Sequence, residues 1–160
     1  MNTDRTALEA QIASAFAEEL SAQPQTTLRG AAELDAGHPP PAFDPELDKP
    51  SPAYLERHGY DLPFLDTESW QIYLPRLLMH AVSNADRTSN AADGLLGSLR
   101  PPDREPPRLG SLSNAQEAAV VAVLNFLAFS ETSPHSEAAC RALEEWWGTS
   151  PLYRYGTHVA

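Results

Sequence analysis

The chain has 160 residues, 42% of them hydrophobic, which suffices for one buried core and argues against wholesale disorder. Its net charge is −11, with 13 acidic against 4 basic residues in 1–70 and 9 against 7 in 71–160, so the first half repels phosphates and makes nucleic acid a poor partner. A single cysteine, Cys140, excludes an intrachain disulfide, and no run of about 18 apolar residues offers a membrane span.

The first residues lack a basic region and an unbroken apolar stretch, because Gln11, Ser14, Glu18 and Glu19 interrupt it. The expectation is a cytoplasmic protein without a signal peptide. Ten of the 15 prolines lie in His38–Pro52 and Arg100–Pro107, and proline's fixed φ and missing donor predict extended loops there.

In chain order, a first helix is expected from Asp4 to Leu20, capped by Thr3. Leu8, Ile12, Ala15, Phe16 and Leu20 form its apolar stripe. Thr27–Leu34 reads as a short helix closed by Gly37 and Pro39-Pro40-Pro41, with Phe43 and Leu47 anchoring the following loop on the core. Ser51-Pro52 is an N-cap and first-turn pair that opens a helix to His58, ending at Gly59. Asp66 caps the next helix, whose broad apolar face is Trp70, Tyr73, Leu74, Leu77, Leu78 and Ala81. Pro75 inside it removes the bond to the Gln71 carbonyl and predicts a kink, the alternative being two helices that break at Leu74. Asp86–Asn90 is a polar turn before a short helix over Ala91–Leu99.

Ser113 and Gln116 make a capping box immediately before the apolar run Val120–Phe129. That helix is apolar nearly all round and is expected to be the central element, covered on most sides. Ser133-Pro134 opens a last helix that runs to Trp147 and ends at Gly148, with Ala139, Leu143, Trp146 and Trp147 as packing positions. A tail, 149–160, contains Tyr153, Arg154 and Tyr155 and either packs as a strap or frays. No segment alternates in the manner of a strand. The expected architecture is one all-α domain over 1–160, a bundle of about five to six helices around helix 114–129, with proline-rich loops at 36–52 and 100–108.

Residues 62–147 resemble a bacterial family of small uncharacterised helical proteins that carries a domain-of-unknown-function label. The resemblance rests on Pro63-Phe64, Trp70 with Tyr73-Leu74-Pro75, Leu95-Leu96, and Leu112-Ser113 with Gln116. The acidic first 60 residues match that pattern less well. The resemblance implies an all-helical fold and carries over no catalytic residue.

Chemistry-bearing patterns are weak. Asp44, Glu46 and Asp48 alternate as in a calcium loop, but Lys49 and Leu55 stand where that loop needs glycine and glutamate. The five histidines form no H-x-x-x-H pair, and His80 is expected to meet carbonyls at its helix end. His135 and Cys140, five residues apart on one helix, are separated by about 500° and face different ways. Gly94 and Gly97 lack the lysine of a phosphate loop, and no metal or cofactor is expected.

The function expected on these grounds is a non-catalytic protein-binding module, most concretely an acidic immunity-type protein that neutralises a toxin or other partner with a basic surface. Candidate partner-binding residues are Asp35, Asp44, Glu46, Asp48, Asp61, Trp147, Tyr153 and Arg154. One alternative is a small-ligand protein or enzyme with a site near helix 67–84 built on Tyr73, His80 and Asp66. Another is a structural or regulatory subunit of a larger complex.

Overall fold

The structure, a computed structural model, describes residues 2–154, with side chains from Asp4 onward. Among these residues there are eight α-helices, three short 3-10 or π turns and no strand. The all-α class is as expected, with more and shorter helices than five to six. Part of the excess comes from the first helix. It spans Asn2–Ala15 (α1), leaves helical geometry at Phe16 (φ −117°, ψ 28°) and resumes as Ala17–Ser21 (α2). Thr3 therefore lies inside α1 instead of capping it. Of the apolar stripe, Ile12 and Phe16 are fully buried, while Leu8, Ala15 and Leu20 are partly covered. The C-terminal carbonyls of α2 are met by Arg76, whose guanidinium donates to Leu20 O at 2.8 Å and Glu19 O at 3.4 Å.

Helix α3 (Leu28–Asp35) starts where Thr27 Oγ1 accepts the Gly30 N–H at 2.8 Å. It ends in paired bonds, Gly37 N–H to Leu34 O at 3.0 Å and His38 N–H to Glu33 O at 2.8 Å. That closure needs Gly37 at φ 82°, a region closed to most side chains. Helix α4 (Pro52–His58) is capped by Ser51 as read, Tyr54 N–H donating to its Oγ at 3.2 Å. The chain then tightens into a 3-10 turn over Gly59–Phe64, packed between α3 and α6 (Asn90–Ser98).

Gly59 is right-handed at φ −59°, so it is not a left-handed helix stop. Its role is proximity: a Cβ there would meet Ala91 Cα at 2.6 Å. From the other side, a Cβ on Gly94 would sit 2.0 Å from Gly59 O. The two glycines mark the point where the 3-10 turn and α6 cross backbone to backbone.

Helix α5 (Thr67–Ser83) is capped by Asp66, whose Oδ2 accepts Ser69 N–H at 3.1 Å, and runs unbroken through Pro75. Eleven of its 17 residues are buried, and α1, α2, α6 and the helix Asn114–Ala128 (α7) all pack on it. Helix α7 has the complete capping box, yet only five of its 15 residues are buried. The central element is thus α5, not α7. Helices α1, α5 and α8 (Ser136–Ala142) cover one side of α7 and leave Ala118, Asn125 and Phe129 outward, Phe129 80% exposed. A helix that is apolar all round gives no sign of which side is left open.

Helix α8 begins three residues after Ser133, whose Oγ instead accepts His135 N–H at 3.1 Å in the entering turn. It widens into a π turn over Leu143–Trp147. The wide turn leaves the carbonyls of Glu144 and Glu145 to accept from Leu152 N–H at 2.9 Å and Tyr153 N–H at 3.0 Å, so the start of the tail straps back. Tyr155 and His158 lie outside the described residues. Of the proline-rich segments 36–52 and 100–108, the first is free of helix up to Pro52, which opens α4, and the second throughout. Leu47, expected as an anchor, is 60% exposed; Asp48 is what the loop buries. Among the described residues no helix is long and apolar enough to cross a membrane.

Candidate functional site

Three arrangements of polar side chains stand out. In the first, Asp48 is buried at 1% exposure and accepts from four directions. Arg29 reaches it through Nε at 3.1 Å and Nη2 at 2.8 Å, Tyr54 Oη donates at 2.8 Å, and Asp44 N–H at 2.8 Å. Burial works against the Asp48 charge, but the bonds from Arg29, Asp44 and Tyr54 outweigh it and hold its carboxyl below the usual range. Burial pushes the Tyr54 and Tyr73 hydroxyls up. Both hydroxyls also accept backbone N–H groups of α3, Arg29 at 3.1 Å and Leu28 at 3.3 Å. The network ties the acidic loop, α3, α4 and α5 together. Beside it a small cavity of about 120 Å³ is lined by Asp48, Tyr73 and Arg76, each already hydrogen-bonded within the fold.

The second arrangement centres on Glu56. His80, 8% exposed, meets Glu56 Oε2 at 2.6 Å, Ser89 Oγ donates to the same oxygen, and Asn90 N–H donates to Oε1 at 2.9 Å. Here too burial opposes the charge and the hydrogen bonds from Ser89, His80 and Asn90 win, leaving the Glu56 carboxyl below its ordinary value. Ser89 is also the N-cap of α6, accepting Ala92 N–H at 3.1 Å. His80 thus pairs with a carboxylate on another helix and not with carbonyls at its own helix end. Tyr73, His80 and Asp66 do not converge: one lies in the Asp48 network, one on Glu56, and one caps α5.

The third is an open cleft of about 840 Å³ between α3, the 3-10 turn, α6 and the proline-rich loop. Its apolar walls include Leu34, Tyr60 and Phe64, which are 40%, 58% and 41% exposed. Asp93 lines it too, accepting from Tyr60 Oη at 3.3 Å. So do three arginines spaced four apart, Arg100, Arg104 and Arg108. Arg100 is bound to Glu145 through two bonds of 2.6 and 2.8 Å. Arg104 and Arg108 both donate to the Pro63 carbonyl, and Arg108 also to Leu65 O. Asp103 shapes the loop that presents them, its carboxylate accepting the N–H groups of Arg104, Arg108, Leu109 and Gly110 at 2.8–2.9 Å. Pro102 and Asp103 also border a second cleft of about 530 Å³, where Trp146 and Tyr153 are neighbours.

The residues chosen from sequence are scattered over these features. Asp35 and Glu46 are exposed. Asp44 is half-buried, its Oδ1 accepting Glu46 N–H at 2.9 Å and Leu47 N–H at 3.0 Å. Asp61 is partly covered and lies 3.4 Å from His58 Nδ1. Asp48 is no surface charge, because Arg29 and Tyr54 draw it inward. Nor is Trp147 a surface anchor: it is 4% exposed and its Nε1 donates to Leu99 O at 2.8 Å. The tryptophan at the cleft is Trp146, with the Arg154 guanidinium 5.2 Å above its ring. Arg154 in turn pairs with Glu117 of α7. Among the described residues no three His, Cys, Asp or Glu side chains gather at metal-binding separation. His135 is buried against Arg87 O at 2.8 Å, and Cys140 points to Ala128 O at 3.9 Å.

Tyr60, Phe64, Arg104 and Arg108 are not among the candidate site residues that the sequence patterns single out. The available signal was the four-residue spacing of three arginines within a proline-rich segment.

No curated protein and no solved structure matches the chain. The model of a family described as "Family of unknown function (DUF6714)" matches residues 4–150, so its reach includes the acidic first third that the shorter resemblance left aside. The chain belongs to that family of unknown function.

Proposed function

We propose that this protein is a non-catalytic binding module for another protein, most concretely an acidic immunity-type protein that neutralises a bacterial toxin or another partner with a basic surface in the cytoplasm. The observation that carries the reading is the gathering of Leu34, Tyr60 and Phe64 on one open cleft. Large side chains grouped at a charged rim are what partner proteins bury, whereas singly scattered ones need no explanation. Asp35 lies next to Leu34 in α3, and the net charge of −11 supplies the field that steers a basic partner.

The test is capture with the tagged full chain from native lysate at low and high salt, read by mass spectrometry. A single basic partner is expected, lost at high salt and lost when Asp35, Glu46 and Asp61 are reversed in charge. Tyr60→Ala should also weaken capture, by about tenfold or more if the ring is a central anchor. Retention of the partner by the triple reversal would sink the electrostatic part of the proposal; retention by Tyr60→Ala would move the docking face away from the cleft.

A further inference from the structure

Arg108 is 5% exposed and Arg104 stands beside it, both guanidinium groups converging on the Pro63 carbonyl. Like charges are held together there, and neither forms an ion pair among the described residues, whereas Arg100 nearby carries Glu145. Asp66 and Asp103, whose charges reach Arg108, are engaged elsewhere, Asp103 on four backbone N–H groups and Asp66 on the start of α5. Burial, with the Arg104 charge adding to it, pushes Arg108 down to about 10. A buried cation without a counter-ion is unfavourable unless something else supplies the charge. Among the described residues the Arg108 guanidinium donates through one nitrogen, Nη2, to Pro63 O and Leu65 O. A guanidinium has five N–H donors, so others remain for a ligand in the cleft it lines.

We infer that Arg104 and Arg108 form the anion-binding end of the cleft and receive one carboxylate, carried on an acidic peptide segment next to an aromatic or branched aliphatic side chain that packs on Tyr60 and Phe64. A carboxylate fits a guanidinium by paired N–H···O bonds, and the apolar walls lie beside that position. The chain's −11 charge disfavours a polyanion but tolerates a single negative group held by two cations. This deepens the protein-binding reading and rests on it for the source of the peptide. A basic partner steered by the overall field would still present one acidic side chain, or its terminal carboxylate, to this spot.

The experiment uses short probes and the full chain, so it fails or succeeds independently of the capture assay. N-acetyl-phenylalanine, its carboxamide and inorganic phosphate are titrated in turn, followed by the backbone amide signals of Tyr60, Phe64, Gly97 and Leu109. The acid should shift these signals with millimolar-order affinity, while the carboxamide and phosphate bind at least about tenfold more weakly. Arg104→Gln, at an exposed position, should reduce acid binding about tenfold with an unchanged circular dichroism spectrum. Arg108→Gln is the second variant, read only if its spectrum matches the parent. Equal binding of acid and carboxamide, or undiminished binding by Arg104→Gln, would overturn the anion site. Phosphate binding as tightly as the acid would overturn the role of the apolar walls.

Discussion

Buried at 1% exposure, Asp48 accepts four hydrogen bonds, from Arg29, Tyr54 and the Asp44 N–H. In the sequence it is the third acid of a proline-rich loop, with the same standing as Asp44 and Glu46. In the fold it is the buried end of an ion pair with Arg29, 2.8 Å long, and holds the loop to α3 and α4. Removing one partner of a buried pair leaves the other uncompensated, so Asp48→Asn is expected to cost about 3 kcal/mol, read as a lower urea midpoint. Glu46→Gln, exposed two residues earlier, should change stability by less than about 0.5 kcal/mol. The same residues set a pH dependence. The Asp48 and Glu56 carboxyls lie below their ordinary values of 3.8 and 4.5 in the folded chain. The unfolded chain then binds more protons across that window, so stability rises with pH there. Their contribution is complete above those ordinary values and is lost as pH falls through the lower folded ones. Urea midpoints measured from pH 7 to pH 3 should fall at the acid end, and the fall should be shallower in Asp48→Asn.

At the scale of elements, four helix starts were legible from local spacing, two others (Thr3 and Ser133) were misplaced by it, and crossings were not legible at all. Ser51-Pro52, Asp66, the Ser113–Gln116 box and the Thr27 start each satisfy a helix end with atoms no more than three residues away, so sequence spacing contains the whole interaction. The break at Phe16, the π turn at Leu143–Trp147 and the cleft depend on what packs from elsewhere in the chain. Glycines make the distinction measurable. Gly94 and Gly97 look equivalent in α6, but a Cβ on Gly94 would fall 2.0 Å from Gly59 O, a backbone atom that cannot swing aside. Gly94→Ala should therefore cost about 1–3 kcal/mol or more by overpacking. A Cβ on Gly97 meets nothing within 4 Å. Gly97→Ala should be neutral or stabilising by up to about 1 kcal/mol, since alanine is the better helix former. Thermal melts of the two variants check both signs at once.

Over the whole molecule the helical class could be read from periodicity, but the centre of the bundle could not. Helix α7 has the more continuous apolar run, and α5 carries Gln71, Arg76 and His80; yet α5 is the helix surrounded by four others. Its polar groups are absorbed by Ser111, by α2 carbonyls and by Glu56, partners that only the tertiary fold brings near.

The net charge acts at this scale too, and it gives salt two opposite effects. A chain of charge −11 repels itself when compact, and raising ionic strength from 10 to 150 mM shortens the screening length from about 30 to about 8 Å. Exposed pairs such as Arg5–Asp86 and Arg141–Glu137 are weakened by the same screening, but each is worth only about 0–1 kcal/mol. The isolated chain should therefore melt a few degrees higher in 150 mM salt, while its proposed basic partner binds more weakly. A melting temperature that falls with salt would refute the self-repulsion argument. It would also leave loss of the partner at high salt open to explanation by a loosened fold, so the melt belongs beside the capture experiment as its control.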